Sequence, residues 1–394
     1  MAPSSSLATA TPAEHWQPDW AAIATQIVER TLQLERGERV VYLADPNECP
    51  QLFEEVRAAV LRRGGIEQAT ILGWSRRLAK QRTGGRSLDP DVSRLERAAH
   101  LDLLRTANIF MWLPTSFDWP EAISTWESEW VLARWSGRGV HFHWFPDAGS
   151  PPDHPVHREL ERVYERAILE LDYAALAKRQ RRLVDAIRGR TIRVTTQDGT
   201  DVTLDCPKDG WYCRNDGDQS PAKAATATAA RDREEELPCG AVRLIPSENS
   251  ARGLVKLTGG ISGHTWNWNG TGLDLTKLGD DLEIVFANGR ITELRSRAHQ
   301  RELDQLRPSL RGDWDRVGEI VFGTNPLLET PRDAKMPAYW AFGDGGFRIH
   351  LGHNWESGGH YDSDLYINLF LMTTTITVKD GEAIVRDGHL LVQS

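Results

Sequence analysis

The sequence predicts a two-domain protein in which an α/β domain with a mostly parallel sheet is followed by a mostly antiparallel β domain. Strand-like and helix-like segments alternate over residues 19–189, which is typical of a parallel sheet covered by helices. Beyond residue 190 the helical periodicity gives way to short strands separated by Asp-Gly and Asn-Gly turns. The chain has 394 residues, 40% of them hydrophobic, which is enough apolar mass for both domains.

The α/β domain follows a Ser-, Thr-, Ala- and Pro-rich tail, residues 1–18, that is expected to be disordered. Its first helix is predicted over 19–34, where apolar residues recur on one face. A second helix is predicted over 49–63, where two glycines end it, and a long third helix over 157–187. The strands of this domain are predicted at 39–43, 69–72, 107–113 and 139–145.

The β domain, residues 190–394, is predicted from hairpin turns in which glycine readily adopts the positive φ that the turn requires. The turns are at Asp198-Gly199, Asn288-Gly289 and Asp380-Gly381, and the strands at 191–195, 201–205, 253–257, 282–286, 290–294, 319–322, 365–372 and 383–385. Residues 215–236 are polar, rich in Ala and Thr, and aperiodic. They are predicted to form a mobile loop, because they offer little apolar surface to bury.

Charge and composition argue against several classes of protein. The formal net charge of −9 is the opposite of what a nucleic-acid-binding protein needs. The sequence contains neither an apolar run long enough to span a membrane nor a typical secretory signal. Its four cysteines form no CxxC pair and are too few for a disulfide framework. We therefore expect a cytoplasmic protein with no nucleic-acid and no membrane partner.

Several motifs of the C-terminal half, in this order, resemble the aminopeptidase T (M29) family of dinuclear metallopeptidases. They are Gly199-Thr-Asp-Val-Thr203, Leu237-Pro-Cys-Gly-Ala-Val242, Val317-Gly-Glu-Ile320 with Asn325-Pro326, Ile349-His-Leu-Gly352, and Gly358-Gly359 followed by Ser363. The resemblance implies an aminopeptidase-T-like fold. It also implies a cage of ligands for two divalent cations, with a tyrosine nearby that assists catalysis.

Most positions that match those functional residues carry unsuitable side chains. The first glutamate is replaced by Ala241, the ligand histidine by Arg348, the tyrosine by Trp355, and the closing His-x-Asp pair by Tyr366 and Asn368, whereas the second glutamate is retained as Glu319. Alanine has no donor atom, arginine does not deprotonate to bind a metal, and asparagine carries no charge to offset a dication. These losses argue against M29-type peptidase activity and predict that Glu319 is now paired with Arg348.

A displaced metal site is an alternative hypothesis. The family includes a branch of ring-cleaving iron dioxygenases that use two histidines and one carboxylate. One Gly-rich segment holds residue types suited to a mononuclear iron or zinc site, namely His350, His353, His360, Asp362 and Asp364. Histidines in such a loop are more commonly solvated or capping residues. His141 and His143 alternate on a predicted strand and are expected to pack or to face solvent rather than to bind metal.

Tryptophan is unusually frequent, with 15 residues against 7 tyrosines. Trp266 and Trp268 alternate with asparagines, so both indoles point to one face of a strand. Packing in the core or between domains would explain many of the tryptophans. Paired Trp and Asn side chains also suit a groove that stacks side chains and hydrogen-bonds peptide groups.

The sequence thus favours a peptide-binding protein, without metal or cofactor, on an aminopeptidase-T-like scaffold. Its lost metal ligands and aromatic content are similar to the peptide-binding proteins of crocagin biosynthesis, which bind a ribosomally made precursor peptide while it is modified. The resemblance implies a precursor-peptide partner, possible assistance in cyclisation, and a homodimer. The predicted ligand-binding residues are Arg348, Trp355, Tyr366, Asn368, Glu319, Trp266 and Trp268. Residual aminopeptidase activity and a rebuilt mononuclear enzyme, a dioxygenase or a hydrolase, remain the alternatives.

Overall fold

The computed structural model describes residues 16–45, 49–72, 102–114, 135–144, 150–257, 281–363, 366–379 and 381–393, together with residues 95, 98 and 99. The helices whose bounds lie within these ranges are α1 (Trp20–Thr25), α2 (Pro50–Arg62), α3 (Val156–Leu169), α4 (Tyr173–Ile187), α5 (Pro221–Ala224) and α6 (Gln300–Leu306). Residues 102–106 are also helical. A turn of π-helix, Gln26–Thr31, continues α1. In the described ranges we find no helix with the length and apolar character needed to cross a membrane.

The strands belong to three sheets, which confirms the predicted fold class. They are β1 (Arg39–Ala44), β2 (Ile66–Leu72), β3 (Ile109–Trp112), β4 (Arg138–Phe142), β5 (Thr191–Thr195), β6 (Asp201–Asp205), β7 (Tyr212–Arg214), β8 (Glu234–Leu237), β9 (Ala241–Leu244), β10 (Arg252–Lys256), β11 (Glu283–Ala287), β12 (Arg290–Arg295), β13 (Val317–Gly323), β14 (Phe347–Gly352), β15 (Tyr366–Leu371), β16 (Thr375–Val378), β17 (Ala383–Arg386) and β18 (His389–Leu390).

The first sheet is parallel and has the order β2-β1-β3-β4-β8. Its core is made by the apolar faces of α1 and α2 against alternate residues of the strands, such as Val40 and Tyr42 of β1. The last strand, β8, comes from the second half of the chain and pairs with β4. Residues of the predicted β domain therefore complete the sheet of the predicted α/β domain.

The other two sheets are antiparallel, with the orders β12-β11-β10-β6-β5-β16-β17-β18 and β15-β14-β13-β9-β7. One core cluster joins them, and Ile320 and Phe322 of β13 belong to it. Because side chains alternate along a strand, Val321 points to the opposite face, where it packs with α3 residues including Leu160. Glu319 lies on the same face as Val321, between this sheet and the parallel one.

Two predicted elements differ from those observed. The helix predicted over 157–187 is two helices, because Asp172 accepts a hydrogen bond from the amide of Ala175 at 2.9 Å and starts α4 as its N-cap. The segment 215–236, predicted as a mobile loop, contains α5, a 3₁₀ turn and most of β8, whose residues are buried. Its acidic side chains are buried because arginine, lysine and histidine side chains pair with them.

Candidate functional site

Three charged side chains meet around Glu319, and two of them, Glu319 and Arg348, are at positions matched to the peptidase ligands. Arg243 on β9 and Arg348 on β14 both stand opposite Val321 of β13, one on each side, and Glu319 lies two residues earlier. The β-sheet register therefore puts all three side chains on one face. A guanidinium nitrogen of Arg243 lies 2.9 Å from Glu319 Oε1, and one of Arg348 lies 3.5 Å from the same atom. Ser357 Oγ donates to the other carboxylate oxygen at 2.6 Å.

The environment of Glu319 stabilises its charged form. Burial alone would raise the pKa of this carboxyl, but the guanidinium groups of Arg243 and Arg348 outweigh burial and lower the pKa to about 2. Both guanidinium groups also lie over the ring of Phe342, at 5.1 and 5.6 Å from its centroid. The expected pairing of Glu319 with Arg348 is present, and Arg243 is a closer partner that the sequence interpretation missed.

The other residues of the predicted cleft are largely committed to internal contacts. Asn368 is buried, with its side-chain oxygen 3.2 Å from Nδ1 of His350. Trp355 begins a 3₁₀ turn and stacks on His353 at 5.6 Å between ring centroids. The first residue of β15 is Tyr366, and Trp266 and Trp268 lie outside the described residues.

The space around Glu319 is small. The cavity beside it has a volume of about 10 Å³, which is room for roughly one water molecule. Its lining residues are Arg231, Glu319, His350, His353, Asn354, Glu356 and Ser357. A cavity of this size has no room for two hydrated dications, and the guanidinium groups beside Glu319 offer no metal-ligating atoms.

The structure does not assemble the histidine-rich segment into a metal site. His350 is buried and its Nε2 lies 2.8 Å from the carbonyl oxygen of His353; burial lowers its pKa to about 3. His360 is exposed and pairs with Glu248 at 3.1 Å, and Asp362 is also exposed. Asp364 lies outside the described residues.

A different cluster of metal-ligating residues lies at the carboxyl edge of the parallel sheet. His141 on β4, His143 just beyond it and Glu236 on β8 place one donor atom each within 4.8 Å of one another. His141 and Glu236 are register partners on the two parallel strands, and His143 follows two residues later on the same face. All three are buried. The two histidines were expected to pack or to face solvent; both are buried, and the sequence did not indicate the buried carboxylate beside them.

Surrounding side chains fix this cluster in place. Nδ1 of His141 lies 2.9 Å from Glu234 Oε1, and the imidazole stacks on Trp112 at 4.2 Å between centroids. Arg243 contacts the Oε2 atom of Glu236, so one guanidinium links this cluster to Glu319. Burial would raise the pKa of Glu234, yet His141 and nearby arginines lower it to about 2.

An open groove lies on another face, between the π-helical turn after α1, the start of α4 and the segment around α5. Its volume is about 590 Å³, within the range of ligand-binding pockets. Four cationic and two acidic side chains line it, namely Arg30, Arg181, Arg214, Lys223, Asp216 and Asp218. The lining is thus positive overall in a protein whose formal net charge is −9.

Comparison with known proteins defines the fold. No family model matches the chain, and no curated protein matches its sequence. Two solved structures are similar over 95% of the chain, each at 15% sequence identity and a TM-score of 0.63. One is 2,5-dihydroxypyridine dioxygenase from Pseudomonas putida KT2440, covered over 97% of its length, and the other is wild-type AmpT from Thermus thermophilus, covered over 99%. The protein therefore has an aminopeptidase-T-like fold.

This fold is compatible with more than one chemistry, since a dioxygenase and AmpT resemble the chain equally. Function must be argued from the side chains. The residues that the sequence interpretation did not connect to a site are Arg231, Glu234, Glu236 and Arg243. The run Glu234-Glu-Glu236 was a usable signal, because three consecutive carboxylates next to a buried strand need partners.

Proposed function

We propose that the protein binds an acidic peptide and does not hydrolyse it by dinuclear metal chemistry. The positive lining of the open groove supports binding of an acidic ligand. The pairing of Glu319 with Arg243 and Arg348 supports the lack of dinuclear chemistry. Arg348 stands where the resemblance requires a ligand histidine, Arg243 is a second fixed positive charge beside the same carboxylate, and arginine cannot supply a metal-binding lone pair. The scaffold retains its fold without the donor set of a peptidase.

The groove on the other face is the better place for the ligand. A peptide carboxylate could reach Arg348 only by displacing Glu319, and that exchange would leave a buried carboxylate with fewer partners. Arg30 and Arg181 are instead exposed along an open groove. Guanidinium groups pair well with carboxylates, so this lining favours acidic side chains or a peptide C-terminus.

Some charged side chains of the groove already form ion pairs within the protein. Lys223 donates to Asp216 at 2.9 Å and to Glu235 at 3.1 Å. Nη1 of Arg214 is buried and lies 3.6 Å from Asp216, too far for a hydrogen bond.

We extend the proposal to the biological context that the sequence resemblance implies. The peptide would be a ribosomally made precursor, held by a homodimer while other proteins modify or cyclise it. A protein that presents a peptide for modification does not need to cleave it, which is compatible with the altered ligand positions. Trp266 and Trp268, with Asn267 and Asn269, remain proposed contacts to the same peptide.

Fluorescence anisotropy with a labelled Glu-rich peptide tests the proposal, with the matching Gln-rich peptide as its control. We expect saturable binding of the Glu-rich peptide, weakened by Arg181→Ala. Lys178→Ala removes one charge from an exposed position of α4 outside the groove and should leave binding unchanged. Equal affinity for both peptides, or binding that is insensitive to Arg181→Ala, would refute the groove as the site.

A further inference from the structure

We propose that His141, His143 and Glu236 bind one divalent transition-metal ion. The three side chains converge at the carboxyl edge of the parallel sheet, where α/β proteins commonly place functional groups. None of them occupies a position matched to the M29 ligands. The inference also departs from the metal-free protein expected from the sequence, in which His141 and His143 were not expected to bind metal.

The strongest evidence is a single buried nitrogen. Nε2 of His141 is shielded from solvent and makes no hydrogen bond to any described residue. A buried polar atom of this kind costs free energy unless it has a partner. His141, His143 and Glu236 each place one donor atom within 4.8 Å of the others. One ion bound by the three side chains through Nε2 of His141 would supply that partner.

The other ring nitrogen of His141, Nδ1, has a carboxylate partner, as is common in metal-binding histidines. Its Nδ1 lies 2.9 Å from the Glu234 carboxylate, which favours the tautomer with the proton on Nδ1. That tautomer leaves the Nε2 lone pair available for a cation. A carboxylate behind a ligand histidine also orients the ring and raises its basicity.

The third ligand, Glu236, is likewise held by a neighbour. Arg243 contacts its Oε2 atom and so holds the carboxylate in place beside the histidines. Stacking on Trp112 restricts the His141 ring further. The donors are therefore positioned by side chains that are themselves buried, which reduces the ordering that metal binding would require.

The charges around the cluster also favour a cation. Two sets of ion pairs near the cluster, one around Arg231 and one around Arg243, together contain four carboxylates, Glu234, Glu236, Glu319 and Glu356, and three guanidinium groups, Arg231, Arg243 and Arg348. Four negative and three positive charges leave a net charge of −1 in a buried region. Two imidazoles and one carboxylate suit zinc, iron(II) or cobalt(II) better than magnesium or calcium, which prefer oxygen ligands.

Chelator-treated, metal-free full-length protein titrated with Co²⁺ tests the inference. We expect one ion per chain, visible absorption bands of a low-coordinate site, and displacement of Co²⁺ by Zn²⁺. His143→Ala and Glu236→Gln should each weaken Co²⁺ binding at least tenfold. His360→Ala removes an exposed histidine of the other candidate segment and should leave affinity and spectrum unchanged.

Folding of each variant is checked by its circular dichroism and thermal midpoint. Glu234→Gln keeps the shape of the carboxylate behind His141, and a tenfold loss of affinity with unchanged stoichiometry would support its indirect role. The inference is overturned if wild-type protein binds no Co²⁺, or if well-folded His143→Ala and Glu236→Gln proteins bind it as tightly as wild type. Loss of binding in His360→Ala alone would move the site to the C-terminal segment.

Discussion

Arg243 lies 2.9 Å from Glu319 and its guanidinium also contacts Glu236, so a single buried side chain joins two carboxylates from different sheets. Arg243 is only 2% exposed and is the largest of the fully buried side chains in the described ranges. A buried cation of this kind is retained only where several acceptors surround it. The arrangement makes Arg243 the structural link between Glu319 and the proposed metal cluster.

Glu319→Gln is expected to destabilise the protein by about 3 kcal/mol, the scale for breaking a buried ion pair. The amide keeps the shape of the side chain but leaves Arg243 and Arg348 with less compensating charge. Urea unfolding monitored by tryptophan fluorescence gives the change in free energy.

Asp201→Asn is the matched control, because Asp201 pairs with Arg193 at an exposed position. Such surface pairs contribute less than about 1 kcal/mol. If both substitutions cost the same small amount, the Glu319 ion pairs do not stabilise the fold as argued.

Stability should fall in acid through the same buried carboxyls. In the folded protein the pKa values of Glu319 and Glu234 are lowered from 4.5 to about 2. A carboxyl with a lowered pKa contributes stability that is fully present above the unfolded value and is lost as pH falls through the folded one. We therefore expect the free energy of unfolding to drop between about pH 4.5 and 2.

A series of urea midpoints across that range measures the effect. Glu319→Gln removes one of the two titrating groups and should make the decline shallower than in wild type. A wild-type profile that is flat down to pH 2, or one that the substitution leaves unchanged, would contradict the assigned pKa of Glu319.

The sequence was sufficient for the fold class because local signals and tertiary structure agree there. The helix predicted at 49–63 is α2, and the turn at Asp198-Gly199 does join two antiparallel strands. The sequence was insufficient to predict the buried strand at 234–237, because its burial depends on partners distant in the chain. From the sequence alone, three consecutive glutamates are expected to be solvated. In the structure they are buried because Arg243, Lys223 and His141 lie beside them.

Prediction of the candidate site from the sequence was limited for the same reason, because some contacts depend on residues distant in the chain. The Glu319–Arg348 contact could be predicted because a motif aligned both residues, and a carboxylate that loses its ligands needs a cation. The closer contact with Arg243 followed no motif, since it depends on strand order and register. Similarly, the spacing of His141 and His143 was visible, but the third ligand lies on a strand that sequence periodicity did not identify.

Replacing Arg243 and Arg348 separately should show which of them contributes more to the free energy of unfolding. Arg243→Met leaves Glu319 and Glu236 without their nearest cation, and we expect a loss of about 3–5 kcal/mol. Arg348→Met should cost less, because Arg348 lies 3.5 Å from Glu319 and Arg243 still compensates that carboxylate. A double-mutant cycle between Arg243→Met and Glu319→Gln should show strong coupling. The reverse order of the two losses would mean that Arg348 is the principal partner.

Peptide binding in the groove should depend on salt and on the sign of one exposed charge. Arg181 lines the groove, whose charged side chains sum to a positive value. Interactions between exposed charges are screened over about 8 Å at physiological ionic strength, so added salt should weaken binding of a Glu-rich peptide.

Arg181→Glu reverses the charge and should reduce affinity more than Arg181→Ala, whereas Lys178→Glu changes the net charge equally without altering the lining. Anisotropy titrations at low and high salt separate these effects. If Lys178→Glu weakens binding as much as Arg181→Glu, the affinity depends on the net charge of the protein and the groove is not the binding site.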